Sequence, residues 1–415
     1  MVKTILVAGT FDTKDDELGY LCDVIIAQGG AVKTMDVSVL GDPSKPTDIS
    51  KHDVAHAAGS SIKAAIDTRD ENLAMQIMAR GAANKAADFY ARAKIDGVIV
   101  LGGTMGTDLA LDLCAALPLG VPKYVVSTVA FSPLLPPERI PADIQMILWA
   151  GGLYGLNSVC KSSLSQAAGA VLGAASAVEP PKRTRPLIGM TSFGKTALRY
   201  MVPLKPALEE RGFEVAVFHA TGMGGRAFES LASEGAFACV FDFATQEVGN
   251  HIMGGLSAGA DRLTNAGRAK IPQIVAPGCN DLIDFVGSSP LPDRFADRPA
   301  HAHNRLLTSI GLNAQERREV ARVHSTQLAK AKAPVAFILP EGGCHEWDKP
   351  GGDLRDDDAL AAFCKELKSA LPENVAQYVI PAHINDPEFS DEALRIFDAW
   401  VKDGIVKKTA NNLIG

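Results

Sequence analysis

Short apolar runs alternate with segments of helical periodicity along most of the chain. In the first part of the chain, apolar runs predict strands, and apolar positions three or four residues apart predict helices between them. The predicted strands cover residues 3–8, 31–37, 98–101, 124–127 and 143–148. The predicted helices cover residues 15–27, 53–61, 69–93, a segment that begins after residue 107, and residues 157–177. This alternation is typical of a parallel sheet covered by helices.

The pattern stops at residues 178–186 and then restarts. Prolines and charges cluster there without periodic apolar positions, which predicts a linker. Beyond it, strands are predicted at residues 187–191, 212–218, 237–241, 271–276, 334–339 and 375–380, and helices at residues 197–211, 227–234 and 387–401. The strand–loop–helix–strand order repeats that of the chain start. We therefore predict an α/β protein with two Rossmann-like doubly wound domains, 1–180 and 186–415, facing each other across a cleft. The last helix is expected to pack back on the first domain.

One stretch combines a buried strand, two glycines and the start of a helix. It consists of Gly102, Gly103, Thr104, Met105, Gly106 and Thr107. Glycines allow close approach of a ligand to the backbone, and a helix N-terminus favours an anion. The stretch therefore predicts a phosphate or carboxylate site. A tight strand-to-helix turn that binds nothing explains the pattern equally well.

Other polar groups of the first domain follow predicted strands, where open α/β sheets bind ligands. They are Gly9, Thr10, Phe11, Asp12, Thr13 and Lys14 after the first strand, and Ser127 and Thr128 after the fourth. The Lys14 ammonium is placed to meet a phosphate, although an exposed lysine without a ligand is as common.

Two further residues of the first domain are candidates for ligand contact. Asp36 stands at the end of the second strand, where an acidic residue often binds a ribose hydroxyl. The glycines of the dinucleotide fingerprint are missing, because Gly9 stands alone, so an ordinary NAD site is excluded. Arg69 opens a long predicted helix and is placed either to reach a ligand or to remain in solvent.

The second domain has its own polar groups at predicted strand ends. The loop with Gly224, Gly225 and Arg226 is predicted to bind substrate, and it is not a Walker A motif because it lacks the Lys-Ser/Thr pair. The predicted catalytic residues are Glu247, Asp281, His303 and Glu341. Carboxylates gathered in a cleft shift one another's pKa values, which suits general acid–base catalysis.

A metal site and a cysteine nucleophile are less favoured by the sequence than acid–base catalysis. His301 and His303 stand on one side of an extended segment, and a metal site there would need a further ligand from His345, Glu346 or His383. No single segment has complete ligand spacing, so we predict no metal and expect buried, hydrogen-bonded histidines. Cys279 with His303 as its base would make a nucleophile, but lone cysteines mostly pack in cores.

Composition narrows the functional class. The chain has 415 residues and a net charge of -7, which argues against a nucleic-acid surface. The chain begins with a strand and has no apolar run near the roughly 20 residues of a membrane span, so we expect neither a signal peptide nor a membrane segment. The seven cysteines form no Cys-x-x-Cys pair, which indicates reduced thiols and a cytoplasmic protein.

Eight motifs occur in an order that resembles a known family. They are residues 9–14 (GTFDTK), 101–107 (LGGTMGT), 126–129 (VSTV), 217–226 (VFHATG and GGR), 259–263 (GADRL), 301–304 (HAHN), 339–343 (LPEGG) and 382–386 (AHIND). Together they resemble the bacterial and plant family of uncharacterised proteins that includes the N-terminal half of the tomato protein conferring resistance to tomato mosaic virus. The resemblance covers nearly the whole chain.

The resemblance implies two Rossmann-like subdomains, a homodimer, and ATP bound with Mg²⁺ in the first half. Motif by motif, the nucleotide contacts would fall on residues 10–12, on Arg69 and on residues 102–105. The chain departs from the family pattern at Met105, where a small residue is usual, and this side chain would narrow the phosphate site. It also has the sequence GCND at residues 278–281, where GALD is usual.

Two functional hypotheses follow. The first is a nucleotide-binding enzyme that acts on a small polar metabolite in the cleft between the domains, since titratable groups cluster at active sites. The second is a nucleotide-regulated binding protein without catalysis, which the absence of a complete catalytic motif favours. The expected partners are a nucleotide and a small molecule, with neither nucleic acid nor membrane.

Overall fold

A computed structural model describes residues 2–149, 151–179, 184–302 and 304–408 of the chain, with the backbone alone at residues 195–198 and 302. The chain divides into two compact units, Met1–Pro181 and Lys182–Gly415. Among the described residues, no helix is long and apolar enough to cross a membrane.

The first unit alternates strands and helices as the apolar pattern predicts. Its strands are β1 (Thr4–Gly9), β2 (Ala31–Asp36), β3 (Gly97–Gly102), β4 (Lys123–Ser127) and β5 (Ile144–Leu148), and its helices are α1 (Asp15–Ala27), α2 (Lys51–Ala57), α3 (Ile62–Asp67), α4 (Glu71–Ala91), α5 (Thr104–Ala115) and α6 (Ser158–Ala177). The strands form a parallel sheet in the order β2-β1-β3-β4-β5. The order reverses between β1 and β3, which creates the switch point of a doubly wound fold.

Strand β3 is buried along its whole length because helices cover both faces of this sheet. Leu18 of α1 and Leu164 of α6 join one apolar cluster. Met78 of α4 and Leu113 of α5 join another, against the opposite face. The switch point is thereby held between two packed layers.

The second unit contains a second parallel sheet. Its strands are β6 (Leu187–Ser192), β7 (Glu214–His219), β8 (Cys239–Ala244), β9 (Gln273–Gly278), β10 (Leu282–Val286), β11 (Ala300–Ala302), β12 (Leu307–Gly311), β13 (Val335–Pro340) and β14 (Val375–Ile380), and its helices are α7 (Gly194–Glu210), α8 (Met223–Ser233), α9 (Gln246–Met253), α10 (Asn265–Arg268), α11 (Ala314–Leu328), α12 (Asp357–Ala370) and α13 (Pro387–Lys402). The parallel sheet has the order β14-β13-β9-β8-β6-β7. The predicted fold class, α/β with two Rossmann-like doubly wound domains, is confirmed.

The second unit also contains features that the apolar pattern did not predict. Strands β10, β12 and β11 form a small antiparallel sheet. Helix α13 places Phe389, Phe397 and Trp400 in the core of its own unit, where Phe397 meets Phe213 with ring centroids 5.1 Å apart. Its return to the first domain stays a prediction, as does the arrangement of the two domains across a cleft.

Candidate functional site

A cavity of about 610 Å³ opens at the switch point of the first unit, at the carboxyl ends of β1 and β3. Doubly wound sheets bind ligands at this point, and small-molecule sites have volumes of about 300–1,000 Å³. The structure brings many of the predicted ligand-binding residues together in its wall. These are Thr10, Asp12, Thr13, Lys14, Arg69, Gly102, Gly103, Thr104, Met105 and Gly106.

The N-terminus of α5 forms the floor of the cavity. The helix begins at Thr104, earlier than predicted, and its first intrahelical bond runs from Thr107 N to Gly103 O at 2.8 Å. The preceding N–H groups have no carbonyl partner within the helix, because helical geometry leaves the first turn unpaired. These groups and the helix dipole favour an anion at this end of the cavity.

Glycine occupies positions 102 and 103 for different physical reasons. A side chain at Gly102 would lie 2.6 Å from Gly106 Cα, because the first turn of α5 folds back over the strand end. A Cβ at Gly103 would meet Thr128 Oγ1 at 3.8 Å and nothing nearer. Gly102 is therefore required by packing, whereas Gly103 leaves free the space that a bound group would occupy.

Two cations line the same cavity. Lys14 follows β1, and its ammonium donates to Thr13 Oγ1 at 3.3 Å. Arg69 does not open α4 as predicted, since Asp70 is the N-cap and Arg69 precedes it with φ 52°. Among the described residues neither cation makes an ion pair. Two cations without ion pairs therefore line one cavity, together with the carboxylates of Asp12, Asp70 and Glu71.

The two acidic residues predicted here have different surroundings. Asp12 accepts a hydrogen bond from Gly41 N through Oδ2, while its buried Oδ1 has no partner among the described residues. Asp36 is 1% exposed and lies outside the cavity wall. Its Oδ1 accepts from Phe11 N and Ser38 N. Through this oxygen the Asp36 carboxylate holds two loops together, and its ribose contact stays a prediction.

Several other predicted residues support the cavity from behind. Thr107 and Ser127 are buried, and their hydroxyls lie 2.7 Å apart. Thr128 N donates to Gly102 O at 3.3 Å. Gly9 leaves room for Leu18, which a side chain would meet at 2.8 Å. These groups fix the strand ends and do not line the cavity.

Sequence reasoning missed the apolar wall. It is formed by Val37, Val39, Leu40, Ala65, Ile66, Ala74, Met75 and Leu109. Leu40 and Ile66 are exposed despite their size. A second cavity of about 340 Å³ adjoins the first, and Thr104 and Met105 belong to both walls. The Met105 side chain therefore stands between two cavities.

In the second unit, Glu247 is locked into a buried ion-pair network. Arg262 donates to Glu247 at 2.9 Å, to Asp242 and to Glu229, and all four side chains are almost fully buried. Burial raises the pKa of Glu247, although the Arg262 charge opposes the shift. Glu247 also accepts from Gly222 N at 2.6 Å, so its carboxylate occupies the N-terminus of α8.

The predicted substrate loop is part of a helix. Gly224 and Gly225 lie in the first turn of α8, which begins at Met223. Side chains there would lie 1.8 Å from His219 O and Glu247 Oε2 respectively. Packing accounts for both glycines, and the loop prediction is corrected. The neighbouring Arg226 is buried and pairs with Asp261 at 2.7 Å, so a substrate contact there stays a prediction.

The remaining predicted catalytic residues have separate surroundings. Glu341 is half-exposed and pairs with Lys368. His303, which was also weighed as the base for Cys279, lies outside the described residues. Cys279 is buried with φ 60°, and its N–H donates to Cys344 O at 2.9 Å. His301 packs against Trp347, with ring centroids 4.1 Å apart.

Asp281 belongs to a buried cluster beyond β9 and β13. Its Oδ2 lies 3.4 Å from His345 Nδ1. Burial works to raise the pKa of Asp281, but the charges of His345 and Arg317 lower it to about 2. Cys344 and Asp348 complete the cluster. Neither residue was predicted, although both follow β13 in the chain, where side chains gather at the carboxyl edge of the sheet.

Matches to family models cover both units. One model, described as the N-terminal domain of an uncharacterised protein family (UPF0261), matches residues 3–180, and the C-terminal domain of the same family matches residues 185–401. A UPF0261 protein of Brucella melitensis is 54% identical over 405 residues, which is 97% of both chains. A UPF0261 protein of Clostridium tetani is 35% identical and covers 94% of this chain and 97% of its own.

A plant relative and a solved structure extend the comparison. The ToMV resistance protein Tm-1(GCR237) of Solanum lycopersicum is 30% identical over 94% of this chain and 54% of its own length. The glycosyltransferase SsfS6 of Streptomyces sp. SF2575, complexed with thymidine diphosphate, is 14% identical, covers 96% of this chain and 99% of its own, and has a TM-score of 0.18. Likeness at this level says nothing about function. The family models and the relatives together show that the chain belongs to the uncharacterised protein family UPF0261.

Proposed function

We propose that the first unit binds a nucleoside triphosphate, ATP in the first instance, in the cavity at the carboxyl ends of β1 and β3. One observation carries the proposal. The N-terminus of α5, two cations without ion pairs and an apolar wall all line the same cavity. A nucleotide needs both kinds of surface, because its phosphates are anionic and its base is flat and largely apolar on its faces.

The phosphates would lie at the N-terminus of α5. Backbone N–H groups from Thr104 onward point to this place, and the open side of Gly103 provides the room. Lys14 adds positive charge from the β1 loop, and Arg69 adds it from the turn before α4. Charge-assisted hydrogen bonds of this kind are stronger than neutral ones.

The base would lie against the apolar wall. Val39 and Leu40 contribute from the loop after β2, and Ile66 contributes from α3. Covering exposed apolar side chains with a base removes them from water, which favours binding. The same contact gives a reason for the exposure of Leu40 and Ile66 in the free protein.

Mg²⁺ fits this arrangement. Asp12 lies in the cavity wall, and its buried Oδ1 has no hydrogen-bond partner among the described residues. Mg²⁺ in nucleotide sites is held by one or two carboxylates and by phosphate oxygens. Asp12 would hold the ion, which would neutralise phosphate charge.

Nucleotide binding is better supported than a particular reaction. Two of the predicted catalytic carboxylates, Glu247 and Glu341, are engaged by Arg262 and Lys368. The enzyme hypothesis therefore depends on Asp281 and His303, the other two predicted catalytic residues. The alternative, a nucleotide-regulated binding protein, needs no such groups, and the name of the tomato relative associates that protein with resistance to a virus.

Calorimetric titration of the full chain with ATP, with and without Mg²⁺, tests the proposal. We expect saturable binding of one nucleotide per chain, strengthened by Mg²⁺, and weak binding of inorganic phosphate alone. Absence of saturable ATP binding would refute the proposal. An assay for ADP or AMP release on the same sample distinguishes an enzyme from a sensor.

Two companion expectations belong to the same proposal. A homodimer is expected from the family resemblance, and light scattering during size-exclusion chromatography measures it directly. A cytoplasmic location is expected from the reduced cysteines, and cell fractionation tests it.

A further inference from the structure

Metal-ligating side chains converge in the second unit, whereas the proposed nucleotide cavity belongs to the first. Asp281, Cys344 and Asp348 each offer one ligand atom, and these atoms lie within 4.8 Å of one another. All three side chains are buried. Asp281 follows β9, and the other two lie in the loop after β13, so neighbouring strands of one sheet bring them together.

Two buried atoms of this cluster lack hydrogen-bond partners within the described part of the chain. They are Asp281 Oδ2 and His345 Nδ1. Buried polar atoms normally have hydrogen-bond partners, and leaving one without a partner destabilises the folded chain. Their separation of 3.4 Å exceeds the usual N–H···O range, which ends at about 3.2 Å.

The separations match those between ligands of one tetrahedral ion. Zinc bonds of about 2.0–2.3 Å place neighbouring ligand atoms about 3.3–3.8 Å apart. His345 Nδ1 lies 3.4 Å from Oδ2 of Asp281, and the Cys344 thiol donates to the other oxygen, Oδ1, at 3.6 Å, so both groups stand at this range from the same carboxylate. We infer that Asp281, Cys344 and Asp348, whose ligand atoms lie within 4.8 Å of one another, bind a divalent transition-metal ion such as Zn²⁺, and that His345, 3.4 Å from Asp281, supplies a fourth ligand.

The surroundings hold these ligands in place. Asp348 accepts from the backbone N–H groups of Cys344 at 2.8 Å and His345 at 3.0 Å, which fixes the loop. His383 Nδ1 accepts from Asn385 N, so the ring proton is on Nε2, which donates to Asp348 Oδ1 at 2.8 Å. Carboxylates that bind metals are themselves held by hydrogen bonds, as Asp348 is here.

The chemistry of the ligands selects the ion. Thiolate and imidazole suit zinc and cobalt, whereas Mg²⁺ requires oxygen ligands. Four protein ligands and near-complete burial are typical of a structural metal that ties two segments together. The ion would therefore fasten the loop after β13 to the end of β9.

Cobalt and zinc titrations of the full chain, stripped of metal by a chelator, test the inference. Cys344→Ser is compared with Cys239→Ser, which removes another buried thiol of the same unit. We expect one ion per wild-type chain, a thiolate-to-cobalt charge-transfer band, and a rise in Tm with Zn²⁺. Cys239→Ser should keep all of these.

The variants decide the outcome. Cys344→Ser should lose the charge-transfer band, and its zinc affinity should fall by about 100-fold or more. Asp281→Asn, nearly isosteric, should weaken binding while the band survives at saturating cobalt. Failure of the stripped wild type to bind either ion, or an unchanged band in Cys344→Ser, would overturn the inference. ATP binding by the first unit is measured separately, so the two proposals fail independently.

Discussion

Replacement of Gly103 by valine separates nucleotide binding from folding. Gly103 is the N-cap of α5 with φ −74° and ψ −155°, an extended conformation open to any residue. A Cβ there would meet Thr128 Oγ1 at 3.8 Å and nothing nearer. The fold should accommodate the branched side chain at a cost of about 1 kcal/mol, because valine is a poorer N-cap than glycine.

The effect on binding should be much larger. The valine methyl groups would fill the space in front of the first N–H groups of α5. Loss of two charge-assisted hydrogen bonds, each contributing about 1.5–3 kcal/mol, would weaken binding by about 3–6 kcal/mol, or roughly 10²- to 10⁴-fold in Kd.

Calorimetric titration with ATP and Mg²⁺ measures the loss, and thermal unfolding followed by circular dichroism measures the fold. Gly19→Val is the matched control, since a Cβ at Gly19 in α1 meets nothing within 4 Å and lies outside the cavity. Unchanged affinity in a folded Gly103→Val protein would refute the phosphate assignment. An equal loss in Gly19→Val would show that the effect is not local.

Three further predictions follow from particular contacts. Lys14→Met should weaken ATP binding by about 10- to 100-fold in calorimetry. Lys94→Met, which changes an exposed lysine, should leave ATP affinity unchanged. Equal ATP affinities of the two variants would exclude Lys14 from the site. Arg262→Met leaves three buried carboxylates without their cation and should lower the free energy of unfolding in urea by about 3–5 kcal/mol. Arg395→Met, which breaks an exposed ion pair, should lower it by only about 0–1 kcal/mol. Similar losses in the two variants would contradict the buried network. Burial lowers the pKa of His324 from 6.5 to about 4, so the unfolded chain binds its proton first and stability falls as the pH drops through this window. His324→Gln should remove about 3 kcal/mol of that loss between pH 7 and 4, and parallel stability curves would disprove it.

Most strands of the fold could be predicted, because buried parallel strands appear as continuous apolar runs. Strand β3, for example, extends one residue beyond the prediction at each end. Helix starts were less predictable. Both α5 and α8 begin earlier than expected, at Thr104 and Met223, because glycine-rich segments after strands are typical of loops. Here close packing places glycines in the first turn of each helix.

The candidate site also has residues that local sequence predicts and residues that it does not. The glycine stretch and Lys14 could be found because local sequence places them after strands. Leu40 and Ile66 were missed, since an exposed apolar residue is unremarkable until its neighbours are known. The pairing of Glu247 with Arg262 joins residues of a helix and a loop, and only tertiary structure shows that this carboxylate is already engaged. The hydrogen bonds of the Asp36 carboxylate to Phe11 N and Ser38 N are likewise shown only by the tertiary structure.

A crystal structure of the full chain with Mg²⁺ and a non-hydrolysable ATP analogue tests the central claim most directly. The account predicts the phosphates at the N–H groups of Thr104 and Met105, the cation beside Asp12, and the base against Leu40 and Ile66. A nucleotide bound elsewhere, or an empty cavity at saturating analogue, would contradict it.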